Sequence, residues 1–177
     1  MNKKKALRIN IKEIKRSFSR EVALAQSEQI FSIIEKQNYF IEANTVLLYW
    51  SMTDEVHTHA FAEKWFSKKT ILLPVVNGDT LDIKQFSGTS QMIPGEQFGI
   101  MEPQGSIYTD YSNIDLIIVP GVAFDKNNNR MGRGRGYYDR LLKLANATKV
   151  GVCFDFQFFD TVPVETHDIA MDAVIHG

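Results

Sequence analysis

The sequence predicts an α/β protein, a three-layer Rossmann-like fold with a mostly parallel sheet and helices on both faces. Three observations predict it. Short apolar, β-branched runs recur along the 177 residues, helical patterns separate them, and a glycine-rich turn follows one of them. Strands covered on both faces read as near-continuous apolar runs. Their alternation with helices favours parallel pairing in one sheet. At this length one domain, residues 1–177, is the simplest division.

In chain order, Asn2 to about Gln37 is helical in pattern, with a break at Ser17–Ser19 where serine suits a new helix cap. Ile30, Ile33 and Ile34 form its apolar stripe. Thr45–Trp50 (TVLLYW) reads as a first buried strand, and Thr58–Phe66 as a helix capped by Thr58. Thr70–Val76 (TILLPVV) is a second strand, and Leu81–Phe86 a short one within the turn-rich stretch from Asn77 to Asp110. Asp115–Gly121 (DLIIVPG), Lys149–Phe154 (KVGVCF) and Asp172–His176 (DAVIH) complete the strands. Tyr137–Ala147 reads as a helix whose apolar face is Leu141, Leu142, Leu144 and Ala145.

The most informative stretch is Arg130–Asp139, RMGRGRGYYD. Glycines let the backbone approach a ligand and enter left-handed conformations. Successive peptide N–H groups in such a turn form an anion-binding concavity. Arg130, Arg133 and Arg135 add forked donors suited to phosphate oxygens. A polyphosphate cradle is therefore expected, against the plainer reading of an Arg/Gly-rich surface turn. It is neither a dinucleotide fingerprint, since Tyr137 stands at the sixth position from Gly132, nor a G-x-x-x-x-G-K-[ST] loop. Ligands of parallel sheets bind at the carboxyl ends of the strands. Three segments should converge there: Ser51–Thr58 (SMTDEVHT), Gly95–Pro103, and the loop from Pro120 to Asp139. Glu55 and Gly134 must then lie on the same edge of the fold.

Composition narrows the function. A formal net charge of −1 argues against a general nucleic-acid coat. The single cysteine, Cys153, sits in an apolar run and reads as a buried thiol, with no partner at metal-ligand spacing. The basic start (Lys3, Lys4, Lys5) lacks an apolar signal core, and no segment approaches membrane-spanning length, so a cytoplasmic protein is expected.

These motifs identify the chain by resemblance. Lys4–Arg8 in a K-x-x-L-R pattern, SMTDEVHT, LLPVV, G-x-x-x-G-I-x-E-P at Gly95–Pro103, IDLIIVPGVAFD, RMGRGRGYYDRLL and a terminal VP…HD…D-x-V-I together resemble the 5-formyltetrahydrofolate cyclo-ligase (5,10-methenyltetrahydrofolate synthetase) family. The resemblance runs over nearly the whole length. It implies ATP- and Mg²⁺-dependent conversion of 5-formyltetrahydrofolate into 5,10-methenyltetrahydrofolate, with ATP as co-substrate. From charge and segment length no nucleic acid or membrane partner is expected, and a monomer is favoured.

Residue roles follow from the same resemblance. Lys4, Lys5, Ala6, Leu7 and Arg8 would lie against ATP, although a charged helix face is usually just solvated. Arg130, Met131, Gly132, Arg133, Gly134, Arg135, Gly136, Tyr137 and Tyr138 would wrap its phosphates, with Arg133 or Arg135 stabilising the transferring phosphoryl. Asp139 and Asp168 would hold the metal, with Asp172 second in line and His167 without a role. Asp139 also reads as a carboxylate favouring its helix N-terminus, and Asp168 as a turn former. Glu55 would anchor the pteridine, with Trp50, Met52 and Tyr137 beside it; Trp50 equally reads as a core residue, as does Tyr138. Two positions depart from the family pattern: Asn128 where a turn glycine is common, and His57 where an acid is frequent. Asparagine tolerates the left-handed backbone such a turn needs. Two other functions stay open, another ATP-dependent enzyme on this scaffold and an RNA-binding module using the Arg-Gly loop and its tyrosines.

Overall fold

The computed structural model describes residues 3–96 and 99–177; Asn2, expected to begin the first helix, and Gln97 and Phe98 of the Gly95–Pro103 segment lie outside them. The elements run α1 (Lys3–Ser17), α2 (Arg20–Ile34), α3 (Asn38–Ile41), β1 (Thr45–Leu47), α4 (His59–Trp65), β2 (Thr70–Asn77), β3 (Thr80–Gln85), β4 (Met92–Pro94), β5 (Met101–Pro103), β6 (Leu116–Pro120), β7 (Ala123–Asp125), β8 (Arg130–Met131), α5 (Tyr137–Leu141), β9 (Thr148–Cys153), β10 (Phe158–Phe159) and β11 (Ala173–His176).

The main sheet has the order β11-β9-β6-β1-β2-β3, with only the β2–β3 pair antiparallel. Side chains alternate along each strand, so the apolar runs feed two cores. Val46, Leu48, Ile71, Leu73, Leu116 and Ile118 face the α2 and α4 side, with Ile30, Phe31, Ile34 and Phe61. Leu47, Leu72, Ile117 and Val119 face the other side, under Leu141, Leu142 and Ala145. Both faces are covered, as the continuous apolar runs require. β7, β8 and β10 form a separate small sheet, and β4–β5 a hairpin. β9 contributes Gly151, and a side chain there would collide with the Phe124 ring of β7, so this glycine lets the small sheet seat against the large one.

Several expectations are corrected. The break at Ser17–Ser19 is present and Ser19 takes the cap position of α2, but its hydroxyl makes no cap bond. The buried stripe of α2 is Ala23, Ser27, Ile30, Phe31 and Ile34, whereas Ile33 is 41% exposed. Thr58 precedes α4 without a side-chain cap bond, because its hydroxyl donates to the Tyr49 carbonyl at 2.6 Å. The first strand ends at Leu47, and Tyr49 and Trp50 turn into the following loop. α5 stops at Leu141 instead of Ala147. The chain there tightens into i→i−3 bonds, Lys143 to Arg140 and Leu144 to Leu141, and Leu144 is 59% exposed. Ala145 and Ala147 are buried as the chain turns directly into β9.

Candidate functional site

The carboxyl ends of β1, β2 and β6 open onto a cleft of ≈ 280 Å³. The chain leaving β1 delivers Tyr49 and Trp50, β2 delivers Pro74 and Val76 on one pleat face, and the end of β6 delivers Pro120 and then Gly121. Ile100 reaches the cleft from the Gly95–Pro103 segment, and Arg130 to Tyr138 close its far wall. The three expected segments thus meet on one edge.

The loop after β1 is built to point inward. Ser51 and Thr58 clasp its base, each backbone N–H donating to the other's hydroxyl at 3.1 Å. Tyr49 Oη donates to the Val56 carbonyl at 2.8 Å and ties down its return. Glu55 therefore turns into the cleft, with a side chain only 12% exposed. Its Oε2 accepts the Met52 N–H at 3.0 Å, and its Oε1 faces Arg133 Nη2 at 3.2 Å. Trp50 serves both readings: it lines the cleft and is stacked on His59, centroids 3.7 Å apart and planes within 9°. His59 fixes that stack by a 3.0 Å contact from Nε2 to the Ser51 carbonyl, and burial lowers its pKa against that hydrogen bond. His57 lies outside the cleft, its N–H donating to Ser27 Oγ at 2.9 Å.

The glycine loop is held from below by a carboxylate the sequence reading did not single out. Asp125, 1% exposed, accepts the N–H groups of Asn127, Asn129 and Val162 and the Asn129 amide at 2.9–3.1 Å. Burial alone would raise its pKa, but these donors outweigh it and lower it. Asn128, φ 62°, takes the left-handed position of that turn, as its substitution for glycine allows. Arg130 follows, 6% exposed, with its guanidinium 5.4 Å from the Tyr138 ring centroid and pressed against Gly132. Burial presses the Arg130 pKa down, opposed by the charges of Asp139, Tyr138 and Asp168. Met131 is buried in the core and does not line the cleft.

Helix α1 packs on this loop. Arg8 Nε donates to the Gly132 carbonyl at 3.0 Å, and its guanidinium lies over Gly134, where a side chain would meet it at 3.4 Å. Lys4 Nζ reaches Asp168 Oδ2 at 2.7 Å and Glu165 Oε2 at 3.0 Å. Burial opposes the lysine's charge, but the hydrogen bonds to these two acids raise its pKa, and the same contact holds Asp168 low against its own burial. Lys5 is exposed, and Leu7 packs against the Ile11, Ala123, Met131 and Val162 cluster. Of the predicted N-terminal segment, then, Arg8 is brought to the glycine loop and Lys4 to the acids Glu165 and Asp168. Tyr137 Oη donates to the Gly78 carbonyl at 2.9 Å, and Arg140 bonds the carbonyls of Asp79 and Arg135, so the β2–β3 turn buttresses the start of α5. Gly136 caps α5 with φ 68°, a backbone that favours glycine.

Asp172 accepts the Lys149 N–H at 2.7 Å and so fastens the sheet edge. His167 sits 3.3 Å from Glu165. Glu165, His167 and Asp168 cluster closely enough to suit a cation, but the Lys4 ammonium already bridges both acids. Two residues beside the cleft were missed. Asp54 Oδ1 and Oδ2 lie 3.0 and 3.1 Å from Arg133 Nη2, and Lys15 Nζ binds Asp54 at Oδ2 (3.0 Å) and at its carbonyl (2.5 Å). Burial raises the Asp54 pKa, but Lys15 and Arg133 outweigh that and lower it. Arg8, Lys12, Lys15, Arg16 and Arg133 line a basic groove of ≈ 440 Å³ beside the cleft, with Asp54 as its acid.

Fold and cleft together define an α/β protein whose ligand site, rich in arginine on one wall and apolar on the other, lies at the carboxyl edge of a parallel sheet. The model of the 5-formyltetrahydrofolate cyclo-ligase family matches residues 1–177, and the chain belongs to that family. It is 28% identical over 188 residues to a 5-formyltetrahydrofolate cyclo-ligase of Mus musculus, covering 98% of this chain and 93% of the relative. It is 29% identical over 186 residues to one of Haemophilus influenzae, covering 99% and 98%. The NMR structure of the Aquifex aeolicus 5,10-methenyltetrahydrofolate synthetase superposes with a TM-score of 0.87 at 33% identity, over 98% of this chain and 89% of that one. Among the described residues no helix is long and apolar enough to cross a membrane.

Proposed function

We propose that this protein converts 5-formyltetrahydrofolate to 5,10-methenyltetrahydrofolate with ATP, releasing ADP and phosphate. The observation that carries the proposal is the 3.2 Å contact between Arg133 and Glu55, which brings the proposed phosphate clamp and the proposed folate anchor together in one cleft. The formamide carbonyl is a poor electrophile and its oxygen a poor leaving group. Transfer of the γ-phosphoryl to that oxygen corrects both. The 10-nitrogen then attacks the formyl carbon, its proton leaves, and the C–O bond breaks with phosphate as the leaving group. No side-chain nucleophile is needed; the protein positions the reactants and neutralises charge.

Glu55 would accept the adjacent ring N–H and exocyclic amine of the pteridine, with Trp50 and Met52 against its face and Tyr137 alongside. Lys4, Arg8, Arg130 and the Gly132–Gly136 backbone would hold the phosphates. Arg133 and Arg135 would meet charge developing on the transferred group. Asp139 and Asp168 would supply the hard oxygen donors that Mg²⁺ prefers. Bound there, Mg²⁺ would neutralise phosphate charge. For Asp168 this means sharing its carboxylate with Lys4. The reading includes one domain, a monomer, no nucleic-acid partner and a cytoplasmic setting. A fully buried lone thiol, Cys153, raised in pKa by burial, fits a protein without disulfide chemistry.

The test is the absorbance of methenyltetrahydrofolate formed by purified protein from 5-formyltetrahydrofolate, with and without ATP and Mg²⁺. Product that requires all three is the expected result. Folded protein that binds ATP and forms none would reassign the scaffold to another substrate, and steep salt-dependent RNA binding without ATP turnover would favour the RNA-binding reading.

A further inference from the structure

We propose that Asp54 is a positioning residue that couples the two halves of the cleft by holding Arg133 when Glu55 is engaged by substrate. The inference rests on the proposed reaction and deepens it. Arg133 Nη2 is shared among three carboxylate oxygens, two of Asp54 at 3.0 and 3.1 Å and one of Glu55 at 3.2 Å. A pteridine donating to Glu55 competes directly with that last contact. The Arg133 side chain, 51% exposed, would then be free to swing into solvent unless something else held it. Asp54 is that hold. It is fixed in turn by Lys15, whose side chain is 12% exposed and whose ammonium binds both its carboxylate and its carbonyl. One side chain thus ties together α1, the loop carrying Glu55 and the glycine loop.

The consequence is directional. With Glu55 occupied, Arg133 is neutralised by one carboxylate instead of two, yet stays in place. Its charge is then more available to a phosphate, so folate binding tightens nucleotide binding, and by linkage the reverse. An ordinary structural ion pair would affect stability and leave this coupling alone.

The experiment uses the full chain as wild type, Asp54→Asn and Asp54→Glu. Calorimetry gives the affinity for a non-hydrolysable ATP analogue with and without saturating 5-formyltetrahydrofolate, and the absorbance assay gives kcat and KM. In the wild type the folate should tighten analogue binding by about fivefold or more. In Asp54→Asn that ratio should fall to about one, with kcat down roughly 10–100-fold and folate KM within about twofold, since a misplaced clamp costs turnover more than binding. Asp54→Glu should recover part of both. If Asp54→Asn does not fold, Lys15→Gln, which loosens Asp54 without removing it, should lower the coupling ratio. A wild type in which the two ligands bind independently overturns the inference. So does an Asp54→Asn protein with coupling and kcat unchanged and only a lower melting temperature. A wild type that shows coupling yet forms no methenyl product overturns the proposed reaction alone and leaves the role of Asp54 in coupling standing.

Discussion

Gly132→Ala isolates the contribution of the buried arginine. A methyl group at position 132 would lie 2.6 Å from Arg130 Nη1, 3.2 Å from Nη2 and 3.4 Å from Cζ. Ordinary contact begins near 3.4 Å, so the guanidinium must retreat by about 0.8 Å. Its retreat is hindered, because Arg130 is 6% exposed and lies over the Tyr138 ring. Overpacking of this kind costs about 1–3 kcal/mol. For a chain of this size that lowers the melting temperature by roughly 2–12 °C. A misplacement near 1 Å in a positioning group lowers turnover by up to about 100-fold. Thermal unfolding and initial rates of methenyltetrahydrofolate formation, measured on one preparation, separate the two effects. A Gly132→Ala protein with unchanged melting and a rate within about twofold of wild type would refute the packing of Arg130 against Gly132 and its role at the phosphates.

Three further outcomes follow from the geometry. Asp125→Asn should destabilise by about 2–3 kcal/mol at pH 7, because a buried charged acceptor of several N–H groups is lost. The folded Asp125 pKa is lowered, so its contribution is present above the unfolded value of about 3.9 and fades as pH falls through the folded one. The gap between wild type and Asp125→Asn in urea unfolding should therefore shrink in acid, and a gap independent of pH would remove Asp125 as the cause. Gly151→Ala should cost at least about 1–3 kcal/mol by driving a methyl into the Phe124 ring between two sheets, measured by the same unfolding; a neutral change would mean that the small sheet moves freely. Glu55→Gln should weaken 5-formyltetrahydrofolate binding by roughly tenfold, the loss expected when a charged acceptor becomes neutral, and unchanged affinity by calorimetry would remove Glu55 as the anchor.

What the sequence made legible follows the physics of each segment. Apolar runs such as DLIIVPG can only be strands covered on both faces, and Leu116–Pro120 is the centre of the observed sheet. The convergence of Glu55 with the glycine loop was legible from the rule for strand ends. β7, β8 and β10 were not, since strands of two or three residues carry no periodicity. The overlong α5 came from reading LLKLA as a helical face, when its Leu144 points to solvent and the two alanines serve the turn into β9. Asp125 left a local signal that went unused, an aspartate two and four residues before asparagines, a spacing suited to side-chain-to-backbone bonds. Asp54 left none. Its partner Arg133 is 79 positions away, and nothing in SMTDEVHT distinguishes it from a solvated acid.

The pairing of α1 with the glycine loop also sets an order of events during synthesis. Arg8 and Gly132 are 124 positions apart, and Lys4 and Asp168 are 164. At about 5–20 residues per second, Lys4 emerges from the ribosome roughly 8–30 s before its acid partner. For that interval Lys4 lacks its acid partner, although Lys15 of the same helix already has Asp54. The cleft is therefore among the last parts of the molecule to form, and a nascent chain stalled before position 130 carries the Glu55 loop without the arginine wall that faces it.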